Sequence, residues 1–313
     1  MNRRSAIRNL IAVGAGSFFC RLSAAHAGEQ PQGFVIHSDV RLVLLDVSVK
    51  DRDGGFVSGL SKDNFAVLEN GVAQPITVFA DTDVAVTVGI LVDESRSMTP
   101  KRSEVLSAAE MFIAESNPQD EIFVLNFNDS VKRGLPEGVL FSDNLEQLRS
   151  ALYRGTPKGR TALNDAVVDG LTQLKLGRRD KKTLVVISDG GDNASLHRRR
   201  EMLDVVERNI ATIYTIGLFE GGDPDWNPGL LKRLAAISGG EAHFPDDPGG
   251  MAATCRGIAK DIRTRYTIGY PPPVRNGGPL RHIRVNVSAP GRSRLVARTR
   301  DRYHYEQIES ESK

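Results

Sequence analysis

Val84-Ala85-Val86-Thr87-Val88-Gly89-Ile90-Leu91-Val92 runs directly into Asp93-Glu94-Ser95-Arg96-Ser97. The first nine residues are almost wholly apolar and do not alternate with polar ones. That pattern reads as a strand covered on both faces, as in a parallel α/β sheet. Ligands of open α/β sheets sit just outside the carboxyl ends of the strands. Asp93, Ser95 and Ser97 stand at that end, and in an extended loop positions i, i+2 and i+4 point to one side. Glu94 and Arg96 are expected to face away. A carboxylate and two hydroxyls suit a hard cation such as Mg²⁺, which takes about six oxygens at roughly 2.0–2.1 Å. One loop leaves such an ion short of charge and of ligands, so others must come from elsewhere.

Two further stretches supply them. Gly159-Arg160-Thr161-Ala162-Leu163-Asn164-Asp165-Ala166 puts the Thr161 hydroxyl at the start of an amphipathic helix. Thr183-Leu184-Val185-Val186-Ile187-Ser188-Asp189-Gly190-Gly191-Asp192 is a second buried strand, ending in the carboxylate of Asp189. Each residue also has a local use. Asp93 could cap the helix that begins near Pro100, Thr161 could be an N-cap, and Asp189-Gly190 could form a turn. Three such coincidences at successive element ends favour one shared site.

Asp93-x-Ser95-x-Ser97, Thr161 and Asp189 resemble, residue by residue and in order, the three-loop metal-ion-dependent adhesion site of von Willebrand factor type A domains. The resemblance implies Mg²⁺ (or Mn²⁺) coordinated by Ser95, Ser97 and Thr161, with Asp93 and Asp189 bonding it directly or through water. It also implies an acidic side chain of a protein partner completing the shell, and coupling of binding to a shift of the last helix.

Around these loops, residues 82–268 alternate strands and helices. Lys101–Ser116 is an amphipathic helix and Glu121–Phe127 a strand. Val131–Leu140, broken by Gly134-Leu135-Pro136, suits an edge strand. Helices then follow near 144–152, 162–174, 198–209, 230–238 and 251–265, with strands at 183–188, 212–217 and 242–244. The expectation is a doubly wound, mostly parallel α/β sheet with right-handed crossovers. Residues 28–81 and 269–313 read instead as short strands and turns, with Asn70-Gly71 as the clearest hairpin signal. Each flank has too few strands to be stable alone. Residues 34–80 and 269–313 are therefore expected to pair as a small β-sandwich into which the α/β domain is inserted.

Residues 1–27 read as a signal peptide. Arg3-Arg4 and Arg8 precede a short apolar stretch, and Ala25-His26-Ala27 offers a small-residue cleavage site. The arginine pair resembles a twin-arginine export signal, although Ala6-Ile7 stands where a Phe-Leu pair is usual. The expected location is periplasmic or secreted, with no spanning helix in the mature chain. The whole arrangement resembles exported type A domain proteins of acidobacteria.

The 313 residues carry 41 Lys+Arg against 39 Asp+Glu, a formal net charge of +2, so no overall field points to nucleic acid. Two cysteines, Cys20 and Cys255, give no disulfide framework. Trp226, alone of its kind in a Gly/Pro-rich loop, is expected to fold back onto the domain rather than to serve as a partner contact. His243 has no neighbour that would make it a base, and no phosphate-binding glycine loop is present. The expected function is a metal-dependent protein-binding module, adhesive or scaffolding, and not an enzyme. The alternatives are a metal-assisted hydrolase, for which Asp192 and Glu94 are the spare acids, and a metal-free scaffold.

Overall fold

The computed structural model describes residues 42–219, 226–273, 278–292 and 294–305. The chain divides into two units, Met1–Asp39 and Val40–Lys313, and every described residue belongs to the second. The export signal, Cys20, residues 220–225 and the tail from Glu306 lie outside the described residues.

The amino-terminal flank contributes β1 (Val43–Lys50), β2 (Phe65–Glu69), β3 (Val72–Gln74) and β4 (Val78–Ala80). Asn70 and Gly71 join β2 to β3 with φ of 49° and 83°, the two left-handed residues of a tight hairpin turn. β5 (Val86–Asp93) follows and is buried at all eight positions. A 3₁₀ turn, Arg96–Lys101, leads into α1 (Arg102–Ala114). Next come β6 (Glu121–Phe127), β7 (Val131–Arg133), α2 (Leu145–Tyr153), α3 (Leu163–Leu174), β8 (Lys181–Ser188), α4 (Arg199–Arg208) and β9 (Thr212–Gly217). After α5 (Pro228–Ser238), β10 (Ala242–His243) and α6 (Pro248–Thr264), the chain ends in β11 (Tyr266–Tyr270), β12 (Leu280–Val287), β13 (Val296–Arg298) and β14 (Arg302–His304).

The central sheet has the order β10-β9-β8-β5-β6-β7. All its pairs are parallel except β6–β7. This is the doubly wound arrangement, with α1 packed on α2 and α6, and α4 on α3 and α5. The expected edge strand 131–140 is shorter than its composition suggests. It stops at Arg133, because Gly134 and Pro136 turn the chain away after Gly134 donates to Val124 O at 2.8 Å.

The two flanks interleave. One antiparallel sheet runs β13-β1-β11-β4 and the other β14-β12-β2-β3, so each mixes strands from both ends of the chain. Leu45, Val47, Val49, Phe65, Val67, Ile268 and Ile283 fill the space between them. Phe65, Phe79 and Tyr266 pack their rings 5.0–5.9 Å apart. An ion pair is buried in this apolar layer. Arg281 Nη1 meets Glu69 Oε1 at 2.7 Å, and both Tyr270 and Tyr303 hydroxyls donate to Glu69 Oε2 at 2.8 Å.

One residue, Arg265, separates α6 from β11 and ties the two sheet systems together. It donates to Tyr214 Oη, Gly239 O and Asp46 O at 3.0, 2.9 and 3.2 Å. Asp261, one turn earlier, accepts from Arg265, Arg298 and Tyr214 at 3.2, 2.7 and 2.7 Å. Lys181, which opens β8, donates to Arg265 O at 3.2 Å. The sandwich therefore adjoins the amino-terminal ends of the parallel strands. The carboxyl end of β5 lies an eight-residue strand away, roughly 26 Å at strand rise.

Candidate metal centre

β5 delivers Asp93 and β8 delivers Ser188 and Asp189 side by side, because the two strands pair in parallel with Val92 opposite Ile187. Asp93 is 2% exposed and Asp189 fully buried. Asp93 Oδ1 accepts from Ser95 N at 2.8 Å, which curls the loop back over the strand end. Its Oδ2 accepts from Ser188 Oγ at 2.6 Å, and Ser188 Oγ in turn accepts from Gly190 N at 3.0 Å. Gly190 has φ +88°, and a Cβ there would lie 2.5 Å from Asn227 O, so both conformation and space require glycine.

The hydroxyls of the first loop run toward the second carboxylate. Ser97 Oγ donates to Asp189 Oδ2 at 2.5 Å and lies 3.0 Å from Ser95 Oγ. With the Ser97 proton directed at Asp189, Ser95 is the donor of that second contact. The structure thus brings Asp93, Ser95, Ser97 and Asp189 into one hydrogen-bonded group. Thr161 is 3% exposed and stands on the adjoining loop. That loop is bonded to both others: Arg96 N donates to Gly159 O at 3.3 Å, and Asn193 N to Thr161 O at 2.9 Å. Thr161 is not the cap of α3, since Ala162 occupies that position.

Burial and the neighbouring Asp189 carboxylate push the Asp93 carboxyl up to about 7, against the pull of hydrogen bonds from Ser188 and Ser95. Two carboxylates held this close inside a protein repel unless a positive charge or a proton is shared between them. The donor set suits a hard cation. Its oxygens stand 2.5 and 3.0 Å apart, against about 2.9 Å for adjacent ligands of an octahedral Mg²⁺. Among the described residues, no three of His, Cys, Asp and Glu gather as a metal cluster, so a cation here would depend on the hydroxyls. An all-oxygen set favours Mg²⁺ or Mn²⁺ over metals that seek thiolate or imidazole.

Both residues considered as spare acids are engaged elsewhere. Glu94 does face away from the group, but into the protein. It is 3% exposed, pairs with Arg102 at 3.3 Å, and its carboxyl is raised by burial in spite of that arginine. Asp192 accepts from Asn164 N and Asn164 Nδ2 at 3.0 and 2.7 Å. The sequence reading missed Ser188 and Asn193. The Ser188-Asp189-Gly190 triplet carries a signal for the first, because a strand-end hydroxyl beside a carboxylate reaches the neighbouring strand.

A sequence profile of the von Willebrand factor type A domain matches residues 88–191. The chain carries a von Willebrand factor type A domain. The profile spans all three loops of the candidate site, while β9, β10 and helices α4, α5 and α6 lie beyond it. Among solved structures, a von Willebrand factor type A protein from Catenulispora acidiphila is 14% identical, with a TM-score of 0.50 over 83% of this chain and 74% of that one. Proximal thread matrix protein 1 from the mussel byssus, solved with a zinc-occupied MIDAS motif, is 13% identical with a TM-score of 0.50. That match covers 62% of this chain and 49% of the byssus protein. BatB from Bacteroides thetaiotaomicron is 18% identical with a TM-score of 0.46, covering 56% of this chain and 98% of that one. At these identities the likeness is one of fold. No curated protein matches the chain in sequence.

Trp226 and His243, outside the type A site, have structural surroundings. Trp226 packs against Phe219 at 5.0 Å and edge-on to Phe244 at 5.7 Å, folded back onto the domain. His243 is half-buried, 3.9 Å from Glu241. Among the described residues no helix is long and apolar enough to cross a membrane.

Proposed function

We propose that this chain is an exported, metal-dependent protein-binding module, adhesive or scaffolding, whose type A domain holds Mg²⁺ or Mn²⁺ through Asp93, Ser95, Ser97, Thr161 and Asp189. The observation that carries the reading is the oxygen chain from Ser95 through Ser97 to Asp189, with Asp93 held alongside by Ser188. The byssus protein's zinc-occupied motif supports a divalent occupant without choosing the metal. The oxygen donors are the reason for preferring Mg²⁺ or Mn²⁺.

A site with two carboxylates and neutral hydroxyls leaves the cation positive enough to take an acidic side chain from a partner. Exposed Arg96 and Lys158 on the flanking backbone favour the same charge, while Arg160 already pairs with Asp129 at 3.2 Å. The sandwich at the opposite end of the sheet suits a base that presents this face outward. Export rests on the arginine pair and apolar stretch of residues 1–27. A hydrolytic reading requires a base at the cation, and Glu94 and Asp192 are both committed to other groups.

The test is calorimetric titration of Mg²⁺ and Mn²⁺ into the purified chain, beside Asp189→Ala and the double variant Ser95→Ala/Ser97→Ala. Saturable binding by the wild type that both folded variants lose is the expected result. Equal binding by wild type and variants would move the cation elsewhere and end the proposal.

A further inference from the structure

Helix α3 begins without a cap of its own. Its N-cap residue is Ala162, which has no side-chain oxygen, yet the N–H groups of a first helical turn need partners. They find them on the loop beyond Asp189. Asp192 Oδ1 accepts from Asn164 N at 3.0 Å, and Ser195 Oγ accepts from Asp165 N at 3.1 Å. Asp165 answers by accepting from Leu196 N and His197 N at 2.8 and 2.9 Å. The two segments cap each other.

Asn193 lies within this clasp and makes the contacts that reach Thr161. Its Oδ1 accepts from Thr161 N at 2.8 Å, and its own N–H donates to Thr161 O at 2.9 Å. Ala194 N also donates to Thr161 O, at 3.0 Å, so the Asn193 side chain is what fixes Thr161 N while the backbone of 193–194 fixes its carbonyl. With both main-chain polar groups held, the threonine hydroxyl can swing only about χ1, which has few wells in a β-branched residue.

We propose that Asn193 is a positioning residue of the cation site, setting Thr161 where a hydroxyl ligand is needed and acting on metal affinity through Thr161. The inference rests on the metal reading above. Residues that orient metal ligands from behind are worth about 10–100-fold in affinity when removed.

The test is a double-mutant cycle read by Mn²⁺ titration calorimetry on wild type, Thr161→Ala, Asn193→Ala and the combined variant, with unfolding midpoints taken in EDTA. Asn193→Ala is expected to weaken Mn²⁺ about tenfold or more. The combined variant is expected to bind no more weakly than Thr161→Ala, because the two residues act as one unit. Asn193→Asp, which keeps the Oδ1 acceptor, should restore most of the affinity. Wild-type affinity in Asn193→Ala, or losses that add in the combined variant, would overturn the positioning role while leaving the metal site standing. Failure of the wild type to bind Mn²⁺ overturns both readings. If Asn193→Ala does not fold, Asn193→Gln replaces it, since the longer side chain carries its oxygen past Thr161 N. Undiminished binding there refutes the proposal equally.

Discussion

Two buried acidic groups sit at opposite ends of the same parallel sheet, and their surroundings differ in kind. At the sandwich end, Asp261 is 1% exposed and takes its donors from Arg265, Arg298 and Tyr214, while Glu241 takes Lys50 at 2.8 Å and Arg298 at 2.5 Å. At the other end, the donors to Asp93 are the hydroxyl of Ser188 and the amide of Ser95, with the Asp189 carboxylate beside it. Burial works against the charge of both aspartates. The arginines reverse that effect at Asp261 and hold it down at about 2, whereas Asp93 stays up at about 7. An acid supplied with its own cations serves the fold. An acid set among neutral donors and a second acid has no cation of its own, and the proposed metal would supply one.

The sharpest way to break this contrast is at the sandwich end. Asp261→Ala leaves Arg265, which is 4% exposed, and Arg298 without their shared acid. Removing one partner of a buried ion pair costs about 3–5 kcal/mol. Urea unfolding should show a loss of that size with Mg²⁺ affinity retained in the folded fraction. A loss below about 1 kcal/mol would mean that Arg265 is satisfied by its carbonyl partners and that the junction is not an ionic lock. The lock bears on the helix shift that the type A resemblance implies. With Arg265 alone between α6 and β11, moving that helix along its axis would drag a strand paired on both sides.

At the metal end the expected effect needs a ligand. A cation that binds only the folded chain stabilises it by about 2.7 kcal/mol at a hundred times its dissociation constant. Mg²⁺ should therefore raise the unfolding midpoint of the wild type and leave that of Ser95→Ala/Ser97→Ala where it stands in EDTA. An equal rise in both would assign the cation to a different place.

Acid titration sharpens the comparison further. Asp261 has a folded value near 2 against 3.8 for its ordinary value. Its contribution is fully present above about pH 4 and disappears as pH falls toward 2, a swing of about 2 kcal/mol. Unfolding measured in EDTA between pH 5 and 2 should show this limb in the wild type. Asp261→Asn should flatten it, and an unchanged slope in that variant would assign the limb to other acids.

These features were unequally legible in the sequence. The buried run from Val86 to Asp93, the hydroxyl at Thr161 and the Ser188-Asp189-Gly190 turn are local patterns, and local patterns survive in one dimension. The edge strand from Val131 reaches only Arg133, because Gly134 and Pro136 turn the chain out of the sheet, and a proline tolerated at an edge does not mark where the edge ends. Ionic contacts such as Glu69–Arg281, 212 residues apart, leave no spacing to detect. The same holds for Asp192 and Ser195, which cap a helix that lies 28 to 30 residues earlier in the chain. Trp226 shows what composition does convey, since a lone indole in a polar loop turned back onto Phe219 and Phe244.

The smallest expected effect is also the most discriminating. Asp93→Asn keeps the shape of the side chain and an acceptor for Ser95 N, but removes one of two neighbouring carboxylates. If Asp93 were a structural acid like Asp261, the amide would cost several kcal/mol. For an acid among neutral donors, losing a like-charge neighbour offsets what the weaker hydrogen bond to Ser188 forfeits, typically about 1 kcal/mol. Stability in EDTA should thus lie within about 1 kcal/mol of the wild type, in either direction, while the Mg²⁺-dependent rise in the midpoint disappears. A large loss of stability in EDTA would place Asp93 with Asp261 among the acids that hold the fold, and the contrast between the two ends of the sheet would no longer be one of function.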